Sequence, residues 1–427
     1  MLDFINSLSK DDLVTLGKKH KILGHLSNFT NPYLSEDELR LAIIKKIEDD
    51  NPDESGKTER KRRTKRNKSS KDDNFFMEQA LSLASKNLGL TGENPSVGCV
   101  LIKRNQIISA GVTGLNGRPH AEVNAIKNSK EKVNGSTLYV TLEPCNHFGK
   151  TPPCTNFIRN KKIKKVVYGV HDVDKRTNKK AKKFFKKNNI QVLNGILSKK
   201  INKFYKSYFY IKEKKLPYVI GKIASSKDGF IKSKKYRFIT NSESQNISHL
   251  LRYRCHGILI SHKTLNSDNP KLNCRLNGLE KYSPARIILD KNLEFKKNSY
   301  LIKTAKKIPT YIFYSKENAE KINFLKKKGI KIFKLSLKNN YFQPADIYKK
   351  LYRSNIFYLI VEGGLNLTSN FMKHNAFNEF FHFKSNKKLR KNGTIKLHNL
   401  DKILKNKFNN SEKLNSFTEN DQVLRYY

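Results

Sequence analysis

The chain has no tryptophan, only five cysteines in 427 residues, and 37 acidic side chains set against 86 lysines and arginines. It also lacks any stretch near the roughly 18 consecutive apolar residues that a membrane span needs, so no membrane role is expected. The opening segment, MLDFINSLSKDD, has neither the basic start nor the long apolar run of a secretory leader. The expectation is a cytoplasmic protein. Cys99, Cys145, Cys154, Cys255 and Cys274 form an odd, sparse set, which excludes a disulfide framework and fits a reducing compartment. The shortage of acids leaves a formal charge of +49. Such an excess suits a polyanionic partner. Here the lysines are spread along the whole chain amid many Asn and Ile, a pattern that general compositional drift also produces. Phosphorylated ligands would profit from the field in either case.

What the chain does contain is a dense constellation. His120 and Glu122 sit in GRPHAEVNAI, and Cys145 and Cys154 sit in TLEPCNHFGKTPPC. One imidazole and two thiolates are a three-ligand set for Zn²⁺ that leaves the fourth tetrahedral position open for water. Glu122, two residues beyond the histidine, can reach that water without joining the metal. The order H-x-E, then P-C and a further Cys, is that of zinc nucleobase deaminases, with the glutamate as proton shuttle. A structural zinc, or two unrelated core cysteines, is the alternative that only positions in space can remove.

The length implies two or three domains. Residues 1–50 read as a small helical unit resembling SAP-like or Rho-N-like nucleic-acid modules, with Ser9 and Ser35 as helix caps. Residues 51–73, including GKTERKRRTKRNKSSKDD, carry dense basic charge without apolar content, so a disordered linker is expected. Nucleic-acid contact through residues 1–71 stays open beside a plain solvated tether. From Phe75 an alternating βα pattern begins: a helix FFMEQALSLASKNL, strands VGCVLIK and QIISAGV, a helix from His120, a strand STLYVTLEP, and a helix from Cys154. Together they predict a three-layer α/β/α domain over 74–215, with the metal between two helix N-termini. Ser207 to Pro217 reads as a connection. A second α/β pattern follows over 216–427, in which HGILISHKTL, ARIILD, TYIFYS, IKIFKL and FYLIVEGG are continuous apolar strands, as in a sheet covered on both faces.

Eight residues, NHFGKTPP, separate the two metal-site cysteines, where cytidine-type deaminases have two. That spacing, with ENPSVGCVLI and GLNGRPHAE upstream, resembles the deaminase half of the bifunctional riboflavin-biosynthesis deaminase/reductases, the RibD family. KIASSKDG, HLLRYR, KTLNSDNPKLNCR, ARIILD and VEGG resemble the reductase half of the same family, whose fold is similar to dihydrofolate reductase. The resemblance implies a cytidine-deaminase-like domain followed by a dihydrofolate-reductase-like domain, a phosphorylated pyrimidine substrate, Zn²⁺ and NADPH as cofactors, and a homo-oligomer. It implies that Asn94, His147 and Lys150 hold the pyrimidine and its phosphate. In the second domain it places Lys222, Arg252, Leu272, Arg275 and Glu362 on the substrate, and Ser225, Phe238, Ile239, Thr264, Asp268, Gly363 and Gly364 on the cofactor. The two arginines suit a phosphate clamp, and the paired glycines permit close approach to a pyrophosphate.

The chain departs from the family pattern at several points. Tyr236-Arg237-Phe238-Ile239-Thr240 stands where the family has Ser-x-Trp-Ile-Thr, and Gly111-Val112-Thr113 where it has Gly-Tyr-His. Asp172-Val173-Asp174-Lys175 replaces DPNP, and the region from Lys384 lacks the usual Ala-Pro…Gly pattern. A monofunctional deaminase with a degenerate second domain, and a nucleic-acid base deaminase, therefore remain as alternatives to the bifunctional enzyme.

Overall fold

The structure is a computed structural model that describes residues 60–414 and 420–427. The expected helical unit over 1–50 lies outside the described residues. The first helix, α1 (Arg60–Lys86), begins well before Phe75, so the later part of the expected linker is helical. Lys and Arg are good helix formers, and the basic run continues into Phe76, Met77, Ala80, Leu81 and Ala84, all buried. Asp73 is buried as well, accepting a hydrogen bond from Tyr139 Oη.

The first domain is built on a five-stranded sheet ordered β2-β1-β3-β4-β5. Its strands are β1 (Gly98–Lys103), β2 (Gln106–Val112), β3 (Thr137–Leu142), β4 (Lys165–Val170) and β5 (Gln191–Asn194). β1 runs antiparallel to β2 and β3, while β3, β4 and β5 run parallel. Gly98 to Leu101 of β1 and Leu138 to Leu142 of β3 are buried without alternation, as expected for strands covered on both faces. The helices are α2 (Ala121–Lys127), α3 (Cys154–Asn160), α4 (Lys180–Lys187) and α5 (Ser198–Lys214). Two glycines set the packing distance: a Cβ on Gly98 would stand 1.8 Å from the Ala80 carbonyl oxygen, and one on Gly111 2.5 Å from that of Ala121. Their lack of side chains lets α1 and α2 sit against the sheet. The segment Ser207–Pro217 is mostly helical rather than a connection, because Ile201, Tyr205, Tyr208 and Ile211 form one buried stripe along α5.

The second domain carries a nine-stranded sheet ordered β11-β10-β9-β8-β14-β6-β15-β18-β17. The parallel centre comprises β6 (Tyr218–Ser225), β8 (Gly257–Ser261), β9 (Ala285–Leu289), β10 (Thr310–Tyr314), β11 (Lys331–Lys334), β14 (Tyr358–Val361) and β15 (Glu379–Lys384). β17 (Ser411–Leu414) and β18 (Gln422–Tyr426) close one edge antiparallel. Two small pairs, β7 (Phe230–Ser233) with β16 (Gly393–Lys396) and β12 (Leu337–Lys338) with β13 (Tyr341–Phe342), lie outside it. Successive residues divide between two cores. Leu259, Ile287, Phe313 and Leu359 join one cluster, and Ile258, Ile260, Ile288, Ile312 and Ile360 join the other. This is the period-two alternation of strands buried on both sides. HKTL, expected at the end of a strand, instead opens helix α7 (His262–Asp268), where the Ser261 side chain accepts from the Thr264 amide as an N-cap. The other helices that matter below are α6 (Ser242–Tyr253), α11 (Leu365–Lys373) and α12 (Leu400–Lys407), with α8 (Tyr300–Lys303), α9 (Ala319–Lys327) and α10 (Pro344–Arg353) between α7 and α11. Among the described residues no helix is long and apolar enough to cross a membrane.

Candidate functional site

His120 is the residue that precedes α2, in extended backbone, and Glu122 lies in that helix's first turn. Cys145 follows the carboxyl end of β3, and Cys154 opens α3 behind Pro153. Sheet and two helix starts thus deliver three donor atoms that all lie within 4.8 Å of one another. His120 Nδ1 is 3.2 Å from Cys154 Sγ and 3.6 Å from Cys145 Sγ. Ligands at roughly 2.0 and 2.3 Å around a tetrahedral zinc put nitrogen and sulfur about 3.5 Å apart, so the set fits Zn²⁺ without rearrangement. Hydrogen bonding from Cys154 and His120 pulls the Cys145 thiol down to about 4, toward the thiolate that binds metal. Glu122 is 4% exposed. Burial raises its pKa, against the pull of His120.

A cleft of about 1070 Å³ opens over this cluster, lined by Asn94, Arg118, His147, Lys150, Asp174 and Arg176 among others. Asn94 Nδ2 donates to the Gly117 carbonyl at 3.4 Å, and His147 Nδ1 is 3.0 Å from Thr177 Oγ1. Lys150 is exposed at the mouth. All three predicted substrate residues therefore reach one cavity with His120, Cys145 and Glu122. Asp174, in the DVDK departure, is gripped by Arg176 with Nη2–Oδ2 of 2.6 Å and Nε–Oδ1 of 3.0 Å. Asp172 accepts from Tyr208 Oη at 3.0 Å, and burial raises its pKa to about 6.

The second cluster is at the carboxyl ends of the parallel strands. Arg252, from α6, forms a fork on Glu362 with Nε–Oε1 of 2.8 Å and Nη2–Oε2 of 2.9 Å, and Nη1 donates to the Asn273 carbonyl at 3.2 Å. Lys222 Nζ lies 3.9 Å from Glu362 Oε2 and 5.1 Å from the centre of the Phe383 ring. Burial favours neutral Glu362, yet Arg252 and Lys222 hold its pKa down at about 2. Burial lowers the Lys222 pKa. Arg275 donates to Asn273 Oδ1 at 3.1 Å, and its pKa is lowered by burial and then by Arg252. Leu272 packs into the hydrophobic core, so only its backbone can face a ligand.

Thr264 and Asp268 lie on α7 beyond β8, and Gly363 and Gly364 lie between β14 and α11. Because β8, β14 and β6 are neighbours, these positions share one rim, where open α/β sheets bind their ligands. Gly364 is the residue before α11 and has open space where a Cβ would stand, so the helix amides can be approached. Asp268 is exposed and 3.5 Å from Lys232 Nζ. Phe238 is exposed and Ile239 buried, on the segment between β7 and α6. Ser225 is placed differently. Its side chain points to the sheet face opposite Lys222, with Oγ 2.7 Å from His382 Nε2, and His382 Nδ1 is 2.7 Å from Asp401 Oδ1.

Residues 70–170 match the family model for the cytidine and deoxycytidylate deaminase zinc-binding region, and residues 217–391 match that of the RibD C-terminal domain. Riboflavin biosynthesis protein RibD of Aquifex aeolicus is 37% identical over 313 residues, 73% of this chain and 86% of that protein. The chain belongs to the RibD family. RibD of Bacillus amyloliquefaciens is 33% identical over 312 residues, covering 72% of this chain and 83% of that one. The deaminase/reductase of Thermotoga maritima superposes with a TM-score of 0.71 at 30% identity, over 84% of this chain and 99% of that chain. Acinetobacter baumannii RibD gives 0.70 at 26%, with the same two coverages. The RibD assignment makes this chain a two-domain deaminase and reductase of riboflavin biosynthesis, with a zinc-binding first domain.

Sequence reasoning passed over Glu143, inside the TLEP string. It is buried, and its carboxylate accepts from the amides of Lys179 at 2.9 Å and Ala181 at 3.0 Å, with His171 Nδ1 at 2.9 Å. It ties the end of β3 to the start of α4 beside Cys145, and its place next to Pro144-Cys145 was the available signal. His249, on α6 near Arg252, has a buried Nδ1 without a hydrogen-bond partner. Nothing in its sequence context marks it.

Proposed function

We propose that His120, Cys145 and Cys154 hold Zn²⁺, and that Glu122 moves the proton in hydrolytic deamination of 2,5-diamino-6-ribosylamino-4(3H)-pyrimidinone 5′-phosphate. The carrying observation is one nitrogen and two sulfurs converging at zinc spacing beside a buried carboxyl. Zinc bound there supplies a water acidic enough to act near neutral pH. Glu122 takes that water's proton and returns it to the ring nitrogen and the departing amine. A C–O bond forms as the C–N bond breaks, and ammonia leaves. Its raised pKa suits a carboxyl that must accept and then give back a proton. Asn94, His147 and Lys150 hold the ring and its phosphate.

NADPH bound in the second domain would supply the hydride for the ribosyl carbon, and the ring oxygen would take a proton from this chain, giving the ribityl chain. Lys222, with Arg252, Leu272, Arg275 and Glu362, receives the substrate. The lowered pKa of Lys222 makes it the readier proton source. Phe238, Ile239, Thr264, Asp268, Gly363 and Gly364 form the cofactor's rim, without the Ser225 hydroxyl, which His382 holds on the other face of the sheet. The same reading takes the enzyme as a cytoplasmic homo-oligomer whose residues 1–71 are open to polyanions. Light scattering and a salt-dependent gel shift measure those two properties.

The test is a coupled assay of the full chain with the phosphorylated diaminopyrimidinone, with and without NADPH. Ammonia should appear without NADPH, and NADPH oxidation should follow it. Glu122→Gln should abolish ammonia release with zinc still near one per chain; unchanged turnover would overturn the assignment. Ammonia release with no NADPH oxidation would remove the reductase half.

A further inference from the structure

Four cationic side chains line the cleft over the His120 cluster: Arg118, Lys150, Arg176 and Lys212. Two are already engaged. Arg176 is locked on Asp174 at 2.6 Å and Lys212 on Glu93 at 2.8 Å. Arg118 and Lys150 have no ion-pair partner among the described residues, although the carboxylates of Glu93, Asp172 and Asp174 line the same cleft. Arg118 stands on the segment just before the metal-site histidine, half-buried. Its Nη1 donates to Thr151 Oγ1 at 2.5 Å, onto the loop between the two cysteines. That loop is tightened by the Gly149 amide donating to the Thr151 carbonyl at 3.2 Å. A Cβ on Gly149 would stand 3.8 Å from both Arg118 Nη2 and His147 Nε2, so guanidinium and imidazole flank one point.

A guanidinium has five N–H donors in a planar fork matched to phosphate. Thr151 takes one and no carboxylate takes the rest. A half-buried cation held in place by a neutral hydroxyl, with its other donors facing a cleft, is built for an anion that arrives with the ligand. We propose that Arg118 is a phosphate-binding and specificity-determining residue of the deaminase site, working with Lys150 of the loop between the two cysteines. This rests on the deaminase reading above and deepens it. The ring must lie at His120 and Glu122, and the ribosylamino arm then carries the 5′-phosphate outward to the mouth where Arg118 and Lys150 wait. The Arg118–Thr151 hydrogen bond also gives the intervening loop a fixed position before substrate arrives. Binding of the phosphate by the remaining donors adds contact without breaking that bond.

The experiment compares ammonia release from the 5′-phosphorylated diaminopyrimidinone and from its dephosphorylated nucleoside, for wild type, Arg118→Ala and Arg118→Lys, each checked for one zinc per chain. Loss of charge-assisted bonds to a phosphate should raise KM for the phosphorylated substrate about 10- to 100-fold. KM for the nucleoside should change far less, so the preference for phosphate collapses. Arg118→Lys keeps the charge without the fork and should fall between. Inorganic phosphate should inhibit wild type competitively and Arg118→Ala much more weakly. Equal losses on both substrates with zinc retained, or an unchanged phosphate preference, would overturn the proposal. Wild-type inactivity on both substrates would instead strike the deaminase reading itself.

Discussion

Glu362→Gln tests the Arg252–Glu362–Lys222 cluster most sharply. The carboxylate is buried, takes a two-point fork from Arg252, and has Lys222 Nζ at 3.9 Å. Burial would raise its pKa, yet Arg252 and Lys222 bring it from 4.5 to about 2, which corresponds to about 3 kcal/mol of stabilisation at neutral pH. An independent expectation agrees, since removing one partner of a buried ion pair costs about 3–5 kcal/mol. For a domain of this size that lowers Tm by about 6–12 °C at pH 7. The folded-state pKa lies below the unfolded one, so the contribution is complete above pH 4.5 and is lost as pH falls toward 2. Near pH 3 the wild-type side chain is largely neutral in the unfolded chain but still mostly ionised in the folded one, and the gap should shrink to about 1.5 kcal/mol. Thermal unfolding of both proteins from pH 7 to pH 3 measures this. Two Tm curves that run parallel would refute the reasoning, because the gap could not then come from an ionised Glu362. The same variant should lose NADPH oxidation while releasing ammonia at the wild-type rate.

Chelation separates the two domains. Removing zinc should abolish ammonia release and leave NADPH oxidation on the deaminated intermediate intact, and both activities failing together would show that the metal also supports the second domain. Gly98→Ala should cost about 1–3 kcal/mol or more, measured by urea unfolding, because its Cβ meets the Ala80 carbonyl and α1 must move. A neutral result would mean α1 is not held against β1 as described.

The deaminase centre was legible because its parts are local. His120 and Glu122 sit two residues apart at one helix start, Cys145 and Cys154 bracket one loop, and prolines mark where strands and helices hand over. Helix limits were less legible. The stripe Ile201, Tyr205, Tyr208 and Ile211 has helical spacing, but the lysines between its members disguise it as a connection. The basic run before Phe75 has no apolar pattern of its own, and the described part of it continues into a helix whose later turns are buried. The Ser225–His382–Asp401 chain could not be read at all. It depends on β6 pairing with β15 and on α12 supplying Asp401, contacts that span 157 and 19 residues.

That chain also bears on the departures from the family pattern. Ser225 is occupied by His382 on the face away from Lys222, so its hydroxyl is not free to serve the cofactor unless His382 yields it. Asp174, by contrast, stands in the altered DVDK string with its own charge answered by Arg176 at 2.6 Å. The cluster proposed to receive substrate in the second domain keeps its ion pairs, Arg252 on Glu362 at 2.8 Å and Lys222 at 3.9 Å. The two sites also occupy opposite ends of one sheet. The cleft over His120 is walled by Ala285, Tyr311 and Phe357, at or next to the amino ends of β9, β10 and β14. Glu362, Thr264 and Gly364 follow the carboxyl ends of β14 and β8. Four or five residues of strand separate the ends, about 13–17 Å at 3.3 Å per residue. On the proposed reading the deaminated pyrimidine leaves this cleft and travels round the sheet to be reduced. On the same reading each half recognises the phosphorylated sugar for itself, Arg118 with Lys150 in the cleft and Arg275 beside the Arg252–Glu362 pair in the second domain.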